Sequence, residues 1–209
     1  MGPEAEGFQP FTLVVAGTPG VGKSTFARLL AAELNCGVIE PSSIALERSL
    51  GVPDPERPDT LIIDEVRLVE AVKEGIRGPC SVIATHYPSL FLEDDEIYHG
   101  TAAVALLRAN PLMLASRLEA RGWGRRKVLE NVMAEALGAI AGELVGYEDM
   151  VFEVDTSGTD VEGSLRVFFD KLESWDVGIR IDWLALDEVS DAVVAWGSEL
   201  DSYEGRSGG

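Results

Sequence analysis

The sequence predicts an α/β fold with a mainly parallel sheet, and three observations predict it. Short β-rich apolar runs recur at Phe11 to Ala16, Cys80 to Ala84, Thr101 to Leu107 and Met150 to Val154, as buried parallel strands do. Segments with apolar residues at helical spacing lie between them. The first run ends in a glycine-rich loop that opens into a helix. Alternation of this kind closes through right-handed crossovers, which places helices on both faces of the sheet.

Taken in order, Phe11 to Ala16 stops at glycine, and Thr25 to Leu34 then puts Phe26, Leu29, Leu30 and Leu34 on one helical side. Asn35 and Gly37 end that helix. A short extended Val38-Ile39 leads to a loop rich in proline and acid through Asp59, holding Pro41, Pro53, Pro55 and Pro58, in which Ile44 to Leu50 makes two helical turns. Leu61 to Ile76 reads as one helix from Ile62, Val66, Val69 and Val72, and Gly78-Pro79 breaks it. Pro111 opens a helix to Arg121 at the favoured first position. Gly122-Trp123-Gly124 interrupts, and Lys127 to Leu144 reads as a long helix striped by Leu129, Met133, Ala136, Ile140 and Leu144. Val161 to Trp175 is the last helix of a domain spanning 11–174. Beyond it, 175–209 is an acidic extension whose Trp183, Leu186, Val189, Val193 and Trp196 share one helical face. That amphipathic helix packs back on the domain or docks a partner.

Composition narrows the class. With 46% hydrophobic residues the chain can fill a core, yet no apolar run approaches the ~20 residues that cross a bilayer. Met1 to Pro10 carries acids and no positive stretch, unlike a signal peptide. Two distant cysteines, Cys36 and Cys80, predict reduced thiols in a cytoplasmic protein. The excess of 36 Asp+Glu over 17 Lys+Arg repels phosphodiester backbones, which excludes general nucleic-acid binding. It suits a solvated acidic surface or a basic partner.

The chemistry concentrates at Gly17-Thr18-Pro19-Gly20-Val21-Gly22-Lys23-Ser24, a match to G-x-x-x-x-G-K-[ST] set between strand and helix. Glycines at 20 and 22 let backbone N–H groups converge on phosphate, and the helix N-terminus adds its dipole. Lys23 supplies a mobile charge that follows the transferring phosphoryl; Ser24 offers its hydroxyl to Mg2+; Thr25 reaches an α-phosphate oxygen. The pattern predicts a P-loop NTPase fold holding ATP with Mg2+. A second concentration, Arg117, Arg121, Arg125, Arg126 and Lys127, is conspicuous in a chain of net charge −19. Flanked by Gly122 and Gly124, it reads as a flap closing over phosphates, or as decoration of an exposed helix.

These segments, with Asp64-Glu65-Val66-Arg67, Thr85-His86-Tyr87 and the run Arg117-Leu118-Glu119-Ala120-Arg121-Gly122-Trp123 continuing to Lys127 and Glu130-Asn131, resemble the adenylate kinase isoenzyme 6 family in its archaeal type. Members are adenylate-kinase-like ATPases of small-subunit ribosome maturation. The resemblance implies a three-layer α/β/α, nucleoside monophosphate kinase-like fold on a five-stranded parallel sheet. It also implies a monophosphate-binding insert at about 40–63 and a lid at about 120–130. By the same resemblance Gly20, Gly22, Lys23, Ser24 and Thr25 contact phosphate, Arg121 approaches ATP from the lid, AMP accepts the phosphoryl, and a basic small-subunit ribosomal protein is a partner. The family's D-x-H at the third strand reads Ala84-Thr85-His86, so His86 is left to orient water or bond a phosphate. Its Gly-Asp-Leu-Ala-Arg run reads Ser42-Ser43-Ile44-Ala45-Leu46, which makes Arg48 the candidate for the monophosphate. Asp64, Glu65 and Arg67 either face the cleft or begin an exposed helix. The expected activity is ATP + AMP = 2 ADP with ATPase activity. An ATP-switched assembly factor and a small-molecule kinase with another acceptor are the alternatives.

Overall fold

In the computed structural model, residues 11–55 and 61–204 are described; the expectations for the first ten residues, for Pro58-Asp59 and for the terminal Ser-Gly-Gly lie outside them. The apolar runs pair as parallel strands because each is buried on both faces. The described elements are β1 (Phe11–Ala16), α1 (Lys23–Leu34), β2 (Gly37–Ile39), α2 (Pro41–Glu47), β3 (Gly51–Pro53), β4 (Leu61–Ile63), α3 (Glu65–Gly75) and β5 (Cys80–Thr85). There follow α4 (Pro88–Leu92), α5 (Asp95–Gly100), β6 (Thr101–Arg108), α6 (Pro111–Ala120), α7 (Arg125–Ala136), α8 (Ala139–Gly142), β7 (Val151–Asp155), α9 (Val161–Ser174) and α10 (Asp187–Glu204). The main sheet is five-stranded in the order β2-β5-β1-β6-β7 and parallel throughout. β1 alternates between two cores. Leu13 and Val15 face the layer built from α1, α6, α7 and α9, while Val14 and Ala16 face the layer holding Leu92, Ala141 and Leu144. A third cluster, with Ala45, Leu68, Val72 and Phe91, seats the insert on Ile83 of β5.

This is the predicted P-loop kinase-like architecture, with differences at four places. Leu61 to Ile76 is not one helix: Leu61–Ile63 pairs antiparallel with β3, and the helix begins only at Glu65. The β-branched run fits either period, and Asp64 decides the boundary by accepting a hydrogen bond from the Arg67 N–H as an N-cap. Lys127 to Leu144 is likewise divided, because Gly138 takes φ +67° and turns the chain between α7 and α8. The helical turns expected at Ile44 to Leu50 start earlier, with Pro41 at the first position. The fourth difference concerns the thiols. Cys36 and Cys80 form a disulfide, against the expectation of reduced cysteines. The register Gly37↔Ser81 sets the residue just before β2 and the first residue of β5 side by side, although 44 positions separate them in sequence.

The C-terminal segment runs beside β7, where the Gly178 N–H donates to the Val151 carbonyl, and then makes a 3-10 turn at Trp183–Ala185. Helix α10 packs along α7, burying Val189 and Trp196. No helix among the described residues is long and apolar enough to cross a membrane.

Candidate functional site

Because the five strands run one way, the segments leaving β1, β5, β6 and β7 gather at one edge, where open α/β sheets bind ligands. The loop after β1 is shaped by its glycines. Gly17, Gly20 and Gly22 all have positive φ, and a Cβ on Gly17 would lie 2.3 Å from the Leu107 carbonyl oxygen of the neighbouring strand. Around Gly22 no atom lies within 4 Å of an added Cβ, so the mouth of the loop is open. Helix α1 starts at Lys23 with no side chain capping its N-terminal N–H groups and no acidic residue in its first turn. Those groups, with the exposed Ser24 and Thr25, make the kind of helix N-terminus that receives anions. Unpaired donors, a positive dipole end and an open mouth fit a polyphosphate. Among the described residues no group of three or more His, Cys, Asp or Glu is disposed to hold a metal.

Lys23 folds back under the loop, its Nζ donating to the Thr18 carbonyl at 3.1 Å. Burial pulls its pKa down to about 8; the Glu135 carboxylate opposes that shift and Arg121 adds to it. Thr18 itself is fully buried and donates its hydroxyl to Glu135 Oε2 at 2.5 Å. The other oxygen of Glu135 accepts from Arg108 Nε (2.8 Å), the Ala109 N–H (3.2 Å) and the Trp183 indole N–H (2.9 Å). Arg108 continues to Glu153 at 2.9 Å, and Glu153 receives the N–H groups of Arg180 and Ile181. Buried charge survives here because every acceptor is filled.

On one side of the loop a cavity of about 230 Å³ is lined by Gly20, Gly22, Thr25, Arg117, Arg121 and the Thr156–Asp160 turn after β7. Arg121, at the C-terminal end of α6, is exposed and makes no ion pair among the described residues. Arg117 is committed: it donates to the Thr156 carbonyl at 2.7 Å and so anchors the turn. Arg125 bonds Glu119 and, through two nitrogens, Glu199 of α10, which ties the start of α7 to the C-terminal helix. Arg126 pairs with Glu130 at 3.1 Å.

A second cavity of about 320 Å³ lies on the insert side, lined by Pro41, Ala45, Leu46, Ile63, His86, Tyr87 and Lys127 among others. His86 follows β5 and stacks against Tyr87 with ring centroids 4.0 Å apart. Burial, with help from the Lys23 charge, lowers its pKa to about 4, so the imidazole is neutral at physiological pH. Lys127 covers the Trp123 ring at 4.5 Å and is the cation among the described lining residues. Lys23 therefore lies near enough to both Arg121 and His86 for its charge to act on them.

The structure thus brings Gly20, Gly22, Lys23, Ser24, Thr25, Arg121 and His86 together. It places Arg48 elsewhere, in a 2.6 Å exposed ion pair with Glu74. Asp64 serves as the α3 cap, and Arg67 lines a separate groove with Gly51 and Ile62. Sequence reasoning missed Glu135, Arg108, Thr156 and Trp183. Glu135 is 117 positions from Thr18, and nothing local marks an acidic residue within an amphipathic helix as buried.

Residues 13–138 match the family described as AAA domain. Curated relatives named "Putative adenylate kinase" align along nearly the whole chain. The protein of Sulfurisphaera tokodaii is 31% identical over 92% of this chain and 96% of its own length. That of Thermococcus kodakarensis is 36% identical over 88% of this chain and 97% of its own. Among solved structures, a gluconokinase from Sinorhizobium meliloti superposes with TM-score 0.52 at 17% identity, over 79% of this chain and 93% of that one. A shikimate kinase from Bacteroides thetaiotaomicron does so with TM-score 0.51 at 17% identity, over 78% and 98%. These two likenesses show the fold.

Proposed function

This chain belongs to the AAA-domain family of archaeal proteins named "Putative adenylate kinase", and from that premise we propose that it transfers the γ-phosphoryl of ATP to AMP. One observation carries the reading: the Lys23 ammonium, bonded to the Thr18 carbonyl in the glycine-rich loop, is near enough to act by its charge on both Arg121, which lines the cavity beside that loop, and His86, which lines the second cavity. Phosphoryl transfer needs two phosphates in line and their charge neutralised, with little covalent help from the protein.

In this reading the loop N–H groups and the α1 N-terminus hold the donor phosphates, and Ser24 and Thr25 add hydroxyl contacts. Bound Mg2+ supplies charge neutralisation and orientation of the phosphate oxygens, with Ser24 as its protein donor. Lys23 leaves the Thr18 carbonyl to follow the γ-phosphoryl. Arg121 closes from the lid onto the charge that develops as the bond to the β-phosphate oxygen breaks. Neutral His86 bonds an acceptor-phosphate oxygen or a water without itself giving up a proton. Where water replaces the acceptor, the same groups support hydrolysis of ATP.

A second reading has an observation of its own. The second cavity offers an acceptor phosphate Lys127 in place of the family's insert arginine, since Arg48 is paired with Glu74. That favours an ATP-switched factor in small-subunit maturation, with a basic ribosomal protein as partner and weak kinase activity; the −19 charge suits such a partner. One assay separates the two: ADP formed from ATP and Mg2+, alone, with AMP, and with a basic small-subunit ribosomal protein. Strong dependence on AMP supports the kinase. Stimulation by the protein without dependence on AMP replaces it with the second reading.

A further inference from the structure

Glu135 belongs to α7 rather than to the phosphate loop, and no part of the proposed transfer uses it. Its surroundings are nevertheless those of a built device. Glu135 is 1% exposed and its carboxylate bonds join three other parts of the fold: Thr18 in the loop after β1, Arg108 and the Ala109 N–H at the end of β6, and Trp183 in the C-terminal turn. Arg108 is held in turn by Glu153, whose second oxygen takes the Arg180 and Ile181 N–H groups. A segment that follows the whole five-stranded sheet in sequence thereby locks the rotamer of the side chain that grips the loop.

Thr18 is where that grip acts. Its hydroxyl donates to Glu135, while its carbonyl accepts from Lys23 Nζ at 3.1 Å and from the Val21 N–H at 3.3 Å. The loop's inner turn and its lysine thus share one residue as their internal support. A glycine-rich loop loses much conformational freedom when it closes on phosphate, so fixing it beforehand tightens binding. We infer that Glu135 is a positioning residue, which holds the phosphate loop in its anion-receiving shape through Thr18 and is itself held by Trp183 of the C-terminal segment.

The inference rests on the reading of this loop as a nucleotide phosphate site, and its test separates the two. Binding of ATP and ADP with Mg2+ is measured by calorimetry for the wild type, Thr18→Val, Thr18→Ser, Glu135→Gln, the Thr18→Val Glu135→Gln double variant and Trp183→Phe, with urea unfolding to establish that each is folded. If the wild type takes up neither nucleotide, the site reading itself fails. If it does, Thr18→Val is expected to weaken ATP binding about tenfold, the scale of one hydrogen bond to a charged group. Thr18→Ser restores affinity, and the double variant binds no worse than the weaker single one, since both substitutions act through the same Thr18–Glu135 bond. Trp183→Phe keeps an aromatic side chain but loses the indole N–H and some volume, the latter read in the urea midpoint; it weakens binding about threefold and is the second probe should Glu135→Gln fail to fold. Turnover under saturating ATP changes less than KM does, because the loop is held equally in ground and transition states. Thr18→Val binding ATP within twofold of wild type, or losses in Thr18→Val and Glu135→Gln that simply add, overturns the inference while leaving the nucleotide site standing. A purely structural role would lower the urea midpoint without moving the dissociation constant.

Discussion

Replacing Lys23 by methionine should make this protein more stable and inactive at once. Burial lowers the lysine pKa from 10.5 to about 8. A difference of that size means the folded state disfavours the charged ammonium by about 3 kcal/mol at most. Lys23 keeps a path to solvent at the open mouth of the loop, so the real figure is smaller. Methionine fills nearly the same volume without charge, and Glu135 retains Thr18, Arg108 and Trp183 as partners. The substitution loses the bond to the Thr18 carbonyl, about 1 kcal/mol, but that oxygen still receives the Val21 N–H. The expected net gain is about 1 kcal/mol, or roughly half a molar in urea midpoint for a slope of about 2 kcal/mol/M. The sign with pH follows from the same shift. Between about pH 8 and 10.5 the unfolded wild type binds more protons than the folded one, so wild-type stability rises with pH there and the advantage of methionine shrinks. Urea titrations at pH 7 and pH 10, together with ADP formation at pH 7, test this. A Lys23→Met protein less stable than wild type at pH 7, or a gain that does not shrink at pH 10, refutes the reasoning. Turnover that survives refutes the assignment of the lysine.

Other outcomes follow from other parts of the molecule. Arg121→Ala should cut turnover about a hundredfold while ATP affinity falls only a few-fold, as expected of a group that closes on the transition state; equal losses in both would make it a binding residue. His86 should remain uncharged down to about pH 5, so no ionisation of it shapes the rate near neutrality, whereas the stability that comes from burying it neutral is fully present above pH 6.5 and drains away as pH falls toward 4; comparing unfolding of wild type and His86→Asn across pH 4 to 7 checks this. Gly17→Ala should prevent folding or nucleotide binding, since its Cβ meets backbone rather than a side chain that can move. Reduction of the Cys36–Cys80 bridge should lower the unfolding free energy by up to about 4 kcal/mol for a loop of this length, and the intact protein should show no thiol reactive to an alkylating agent until reduced.

The site was legible in very different degrees along the chain. The phosphate loop could be read directly because its function is local: glycines at fixed offsets, a lysine and a hydroxyl act through consecutive backbone groups. The strands could be read because burial on both faces leaves an apolar run. The Leu61–Ile63 strand was hidden because three apolar residues satisfy helix and strand alike until an antiparallel partner, β3, chooses. Gly138 could have been taken as a helix stop, but an apolar stripe continuing past it concealed the break. Arg48 and Arg67 show what local sequence leaves open: tertiary packing turns one toward Glu74 and the other toward an outer groove.

By itself, then, the amino-acid order determined which segments bury themselves and where a glycine-rich loop with its lysine and hydroxyl stands between strand and helix, since each of these depends on neighbours within a few residues. Only the tertiary structure decided that Thr18, Glu135, Arg108 and Trp183 form one buried unit, that Cys36 meets Cys80, and that Lys127 faces the second cavity. Such pairings depend on strand register and helix packing, which bring together groups whose separation along the chain carries no trace of their contact in space.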